Sequence, residues 1–138
     1  MDFSDIEPFL REHRRGVLAT IRASGAPQLS NVAYGVVDGQ IWVSVTDGRA
    51  KTANVRSDPR AVLHVTSEDF GRYGVVEGDA SLTPVSSQPD DSTVADLIRL
   101  YRVVAGEHPD WAEFAEAMVT DRRLVLKLDP THVYGNVG

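Results

Sequence analysis

No cysteine occurs among the 138 residues. That excludes a disulfide framework, a thiolate zinc site, a cysteine nucleophile and an iron–sulfur cluster. It is compatible with a reducing compartment. Lysine is nearly missing as well. Twelve of the 14 basic residues are arginine, and the two lysines are Lys51 and Lys127. Arginine excess of this kind reads mainly as compositional bias, but it makes each lysine worth following. Positive charge is in deficit overall, at −6, which argues against non-specific binding to nucleic acid or an anionic membrane. No apolar run approaches the roughly 20 residues of a membrane helix. The acidic start, Met1-Asp-Phe-Ser-Asp5, lacks the apolar stretch of a signal peptide, so a cytoplasmic location is expected. The standard mononucleotide, dinucleotide, zinc-protease and serine-hydrolase motifs are missing too. His13, His64, His108 and His132 are scattered. None pairs with another ligand type at helical spacing, and no metal site is expected.

What remains is ordinary globular composition, 42% hydrophobic and 25% charged, in a length that suits one domain over residues 1–138. Ser4-Asp-Ile-Glu7 has capping-box spacing, and Ile6, Phe9, Leu10 and His13 recur at helical spacing, predicting a helix over 5–13. The period then changes. Gly16–Ile21 and Pro27–Tyr34 read as strands. Val36-Val37 and Gln40–Thr46 flank Asp38-Gly39, the strongest short hairpin signal, because both turn positions need positive φ. Ala50–Arg56 has helical character and stops before Pro59. Ala61–Thr66 is a strand, and Tyr73–Thr83 is a longer one whose two internal glycines suggest a bulge or bend. Val94, Leu97, Ile98, Tyr101, Val104 and Ala105 make a helical stripe ended by Gly106, and Asp110 starts another helix bearing Trp111, Phe114 and Met118. Leu124–Leu128 and Thr131–Tyr134 close the chain as strands. Strands come first and the helical pair falls before the last of them. The expected class is α+β, mainly β, around a small antiparallel barrel.

Two segments carry candidate chemistry. Residues 49–72 hold five basic residues against three acidic ones, a net of +2 in a chain whose remainder is −8. Within them, Arg49-Ala50-Lys51-Thr52 lies between a strand end and a helix start. Free amides there, with Arg, Lys and a Thr hydroxyl, suit a phosphate; a solvated basic face explains the same residues. The second segment is Gln28-Leu29-Ser30-Asn31. Its polar side chains could read the edge of a planar heterocycle or face water.

At these segments the sequence resembles a known family. Gly16–Ile21, Gly25-x-Pro27-Gln-Leu-Ser-Asn-Val32, Arg49-Ala-Lys-Thr-x-Asn54 and Asp58-Pro-Arg-Ala61 are similar to the pyridoxamine-phosphate-oxidase-like split-barrel proteins. Leu97-Ile-x-Leu-Tyr101, Ala105-Gly-Glu-His108, Ala117–Arg123 and His132-Val-Tyr-Gly135 are most similar to its actinobacterial branch that binds the deazaflavin cofactor F420. The resemblance implies a six-stranded antiparallel split β-barrel with flanking helices. It implies a homodimer with cofactor grooves at the interface and hydride transfer from reduced F420 to an unsaturated small molecule. Arg49, Ala50, Lys51 and Thr52 would then hold the cofactor phosphate. Gln28, Leu29, Ser30, Asn31 and Ser44 would line the ring. Arg72 would reach its tail, and His132 and Tyr134 would approach from the second subunit. Tyr73, Tyr34 or His132 are candidate proton donors, with solvent as another source. Two alternatives stay open: an FMN-dependent oxidoreductase of the same fold, and a non-catalytic flavin-binding module. Pyridoxamine phosphate oxidase activity itself is disfavoured, because no arginine follows Arg123.

Overall fold

The computed structural model describes residues 1–138. Helix α1 (Phe3–Glu12) starts earlier than the Ser4–Glu7 spacing suggested. Asp2 is the N-cap, and the Asp5 carboxylate accepts from its amide at 2.7 Å. An acidic residue was available two residues further out, and it took the cap. The helix buries Ile6, Phe9 and Leu10. Seven strands follow: β1 (Arg15–Ile21), β2 (Pro27–Ala33), β3 (Gly35–Val37), β4 (Gln40–Thr46), β5 (Arg60–Thr66), β6 (Tyr73–Leu82) and β7 (Arg123–Asn136). The β3–β4 turn is the expected one, with φ of 51° at Asp38 and 74° at Gly39. Three more helices, α2 (Ala50–Ser57), α3 (Ser92–Ala105) and α4 (Trp111–Thr120), interrupt the strands. Asp91 caps α3 by accepting from the Val94 amide at 2.8 Å, and Asp110 caps α4 through the Glu113 amide at 3.1 Å.

All strands belong to one antiparallel sheet in the order β2-β1-β5-β6-β7-β4-β3. The two edge strands are consecutive in sequence, separated by Tyr34 alone. One residue cannot span an open seven-stranded sheet, so the sheet must curl until its edges meet. Counting β2 and β3 as two arms of one strand bent at Tyr34 gives the six strands of the expected barrel. The terminal pair of strands predicted from sequence is a single strand, β7. Its Pro130–Thr131 step is absorbed by a register shift opposite Glu77 and Gly78. Gly78 belongs there, since a Cβ would collide with the Asp129 carbonyl.

Inward residues of the strands, among them Leu18, Val43, Leu63, Val76, Leu126 and Leu128, fill the barrel with the apolar face of α1. A second cluster joins Trp42 and Val125 on the outer face to Leu97 and Leu100 of α3 and Phe114 of α4. The outer face of β2, β1, β5 and β6 lies outside that second cluster. No helix is long and apolar enough to cross a membrane.

Tyr34 is 1% exposed and donates its hydroxyl to the Leu10 carbonyl at 2.7 Å, tying the barrel corner to α1. Burial raises its phenol far above the ordinary value. A phenol that ionises only in the unfolded chain adds stability below about pH 10 that is lost as pH rises further. Tyr34→Phe should cost about 1 kcal/mol at neutral pH, since the Leu10 carbonyl keeps the His13 amide at 3.3 Å. It should also flatten the alkaline loss of stability in denaturant titrations. A variant as stable as wild type at neutral pH and equally alkali-sensitive would contradict this role.

Candidate functional site

Continuing the β3–β4 register past Tyr34 would set Ala33 against Ser44 and Asn31 against Thr46. Pairing stops instead at Gly35 and Trp42. The barrel is therefore split here. From Val43 to Thr46 strand β4 pairs only with β7, and β2 pairs only with β1. Two strand edges with free backbone donors and acceptors face one another.

Helix α2 begins at the upper end of this split. Arg49 is its N-cap residue and makes no side-chain cap. The first-turn amides of Ala50, Lys51 and Thr52 have no intrahelical acceptor and lie at the positive end of the helix dipole. The helix is fixed in place. The Thr52 hydroxyl donates to the Thr46 carbonyl at 2.7 Å, and the Asn54 amide donates to the Thr20 hydroxyl at 3.1 Å. Asp47 accepts from Arg56 at 2.6 Å and Arg122 at 3.0 Å, which holds its carboxyl below the usual range. Thr52 is fully buried. Its hydroxyl is thus turned into the protein, away from the role expected from sequence, and its amide is what stands at the helix start.

The basic segment divides cleanly. Arg56, Arg60 and Arg72 are committed to Asp47, Asp58 and Glu12. Arg49 and Lys51 have no carboxylate partner. Neither does Arg123, which enters β7 opposite Thr46 and donates to the Ser44 hydroxyl at 3.3 Å. Six of the chain's basic residues are unpaired in this way, and these three cluster. Burial, then the charges of Arg49 and Arg123, lower the Lys51 pKa below that of an ordinary lysine. Like charges gathered without a counterion are a standing cost unless an anion joins them. The other lysine behaves oppositely: Lys127 pairs with Asp96 at 2.8 Å and lies 4.2 Å from the Trp42 ring centre.

Sequence reasoning missed Arg123. It lies far along the chain, and only the β4–β7 register brings it to the cradle. The ring-lining segment also separates. Strand alternation sends Leu29, which is 63% exposed, and Asn31 to the outer face beside Ala19 and Val17. Gln28 and Ser30 are half-buried and fall on the opposite face. The four side chains do not share one surface, so the segment would present its backbone and alternate residues. Ser44 does reach the split. Arg72 does not. It sits in the β5–β6 loop, paired with Glu12 at 3.6 Å and 5.2 Å from the Phe9 ring centre, at the α1 end of the barrel. His132 and Tyr134 lie on the outer face of β7 opposite Glu77 and Val75, likewise away from Lys51 within one chain. Tyr34 is withdrawn as a proton donor, being buried and bonded to Leu10. His64 half-faces outward, its ring 5.9 Å from that of Tyr73. No three His, Asp or Glu side chains gather as a metal site would require.

An antiparallel barrel left open at one strand pair is a split barrel. The chain belongs to the pyridoxamine 5′-phosphate oxidase family, whose model matches residues 4–136. Solved structures share the fold. A conserved hypothetical protein from Mycobacterium tuberculosis superposes with a TM-score of 0.79 at 24% identity, over 99% of this chain and 85% of that one. A structure described as an F420 reductase gives 0.64 at 24% identity, over 88% and 89%. A heme storage protein from Vibrio cholerae gives 0.72 at 14% identity, over 99% and 96%.

Lys51→Ala should leave the stability of the ligand-free protein unchanged or slightly raised, because it relieves repulsion. The same change should weaken binding of a phosphate-bearing ligand by roughly 1.5–3 kcal/mol, the scale of a charge-assisted hydrogen bond. An unchanged dissociation constant would remove Lys51 from the site.

Proposed function

We propose that the chain is an F420-dependent reductase acting on unsaturated or conjugated small molecules. The observation that carries the reading is that Arg49 and Lys51, without carboxylate partners, stand at the uncapped start of α2, where the amides of Ala50, Lys51 and Thr52 are free, beside an open strand edge. That arrangement suits a flavin-type molecule with a phosphate at one end and a planar ring at the other. Arg49, Lys51 and the α2 amides would hold the phosphate. Ser44 and the backbone of residues 28–31 would orient the ring along the split. When bound, reduced F420 supplies a hydride from its central ring. The protein would position the two reactants against each other. No carboxyl or imidazole with an assigned role sits beside the split, so the proton would come from solvent, or from Tyr73 or His132 if a second copy brings them near. The F420 reductase of the same fold supports the reading. FMN in the same cradle, or binding without turnover, are the readings it competes with.

The same proposal makes the protein a homodimer of residues 1–138, in the cytoplasm. Leu29, Val17, Ala19 and Val62 form an apolar outer surface that no helix covers. Tyr134, 45% exposed, extends it across β7. Packing two such surfaces together would carry Arg72, His132 and Tyr134 of one copy toward the split of the other.

Titration with F420 and with FMN, followed by fluorescence, tests the cofactor. F420 should bind the tighter of the two. FMN binding at micromolar or better without F420 binding would overturn the assignment. Reduced F420 should then be oxidised by an enone or a quinone; tight binding with no turnover on such a panel would favour a binding module. For the dimer, Leu29→Asp should shift the mass measured by light scattering from two chains to one. A wild-type monomer at tens of micromolar would refute it.

A further inference from the structure

Behind Ser44 the split opens into a cavity of about 290 Å³ between the barrel wall and the α3–α4 pair. Leu97, Leu100, Tyr101, Val104, Phe114 and Met118 make its body. Its polar end is confined to Ser44, Asp121 and Arg123. Tyr101 and Phe114 meet edge to face at 5.1 Å, and each packs edge-on against Trp111, at 5.7 and 5.5 Å, so the wall is aromatic and braced from outside. Arg123 is half-buried and has no carboxylate partner; its contact is the weak 3.3 Å bond to the Ser44 hydroxyl. Asp121 is exposed as the C-cap of α4. Water screens it more than it screens the half-buried Arg123.

We propose that this cavity is the substrate site and that it selects an unsaturated, ring-bearing monocarboxylate. The ring would occupy the Tyr101–Phe114–Met118 body, and the carboxylate would sit on the Arg123 guanidinium at the mouth. The inference rests on the split holding the cofactor, because Ser44 and Arg123 border both spaces and would set the acceptor beside the cofactor ring. The polarity decides the class. A neutral hydrocarbon would leave Arg123 unpaired, and a dianion would meet Asp121. The volume decides the size. At the roughly 30 Å³ that a water occupies in the liquid, the cavity has room for about ten such volumes, enough for a fused bicyclic acid. Arg123 thereby separates from Arg49 and Lys51: it serves the substrate, and they serve the cofactor phosphate.

Met1 and Met118 are the two methionines of the chain, so methyl-labelled methionine gives two NMR signals, one inside the cavity. Added to cofactor-free protein, 2-naphthoate should shift the Met118 methyl saturably and leave Met1 in place. The neutral isostere 2-naphthamide should bind at least tenfold more weakly. R123Q should abolish that preference, and K51A should retain it. Filling the cavity with V104W should remove both ligands while Met118 itself reports whether the fold survives. A Met118 signal unmoved by millimolar 2-naphthoate would overturn the proposal. So would equal affinity for acid and amide, or a preference that persists in R123Q. Failure of the cofactor reading would appear separately, as absent F420 and FMN binding with the Met118 response intact.

Discussion

Everything in this molecule depends on the single residue between β2 and β3. Those strands occupy opposite edges of a seven-stranded sheet, yet only Tyr34 connects them. The sheet is forced to close, and the closing strand is forced to bend. Because it bends, its two arms cannot both pair with β4. The lower arm does, through Gly35–Val37, and the upper arm is left standing off. The split is a consequence of the bend, and the site is a consequence of the split. Burial of Tyr34 and its bond to the Leu10 carbonyl hold that corner against α1.

Electrostatics then give the opening its sign. Eight basic side chains are neutralised by carboxylates, including most of those in the basic segment. At the start of α2, Lys51 has no carboxylate partner; burial lowers its pKa first, and the nearby charges of Arg49 and Arg123 lower it further. An acidic protein that gathers free cations around uncapped helix amides has stored a demand for an anion there. The ties of α2 to Thr46, Thr20 and Asp47 keep that demand preorganised, so binding need not order the helix.

Local features were legible in the sequence where local chemistry decides them. Asp38-Gly39 marked its turn, Gly106 ended α3, and Asp110 started α4. The internal glycines of β6 announced a bulge. The capping residue of α1 was misplaced because Ser4 and Asp2 are both competent caps and only the packed helix chooses between them. The split was invisible, since it comes from closure of strands far apart in sequence. For the same reason Lys51 stood out and Arg123 did not. Lys51 sits in a local pattern, whereas Arg123 reaches the cradle only through register with Thr46. Strand alternation also divided a run, Gln28–Asn31, that looked like one binding surface when written in a line.

The central claim is that a phosphate-bearing, flavin-type cofactor lies along the split with its phosphate on the start of α2. Backbone amide NMR during titration with F420 or FMN tests it most directly. The account predicts the largest shifts at Ala50, Lys51 and Thr52, with smaller ones along residues 28–31 and at Ser44. Shifts concentrated on α1 and at the other end of the barrel, with the amides of residues 50–52 unmoved, would contradict it.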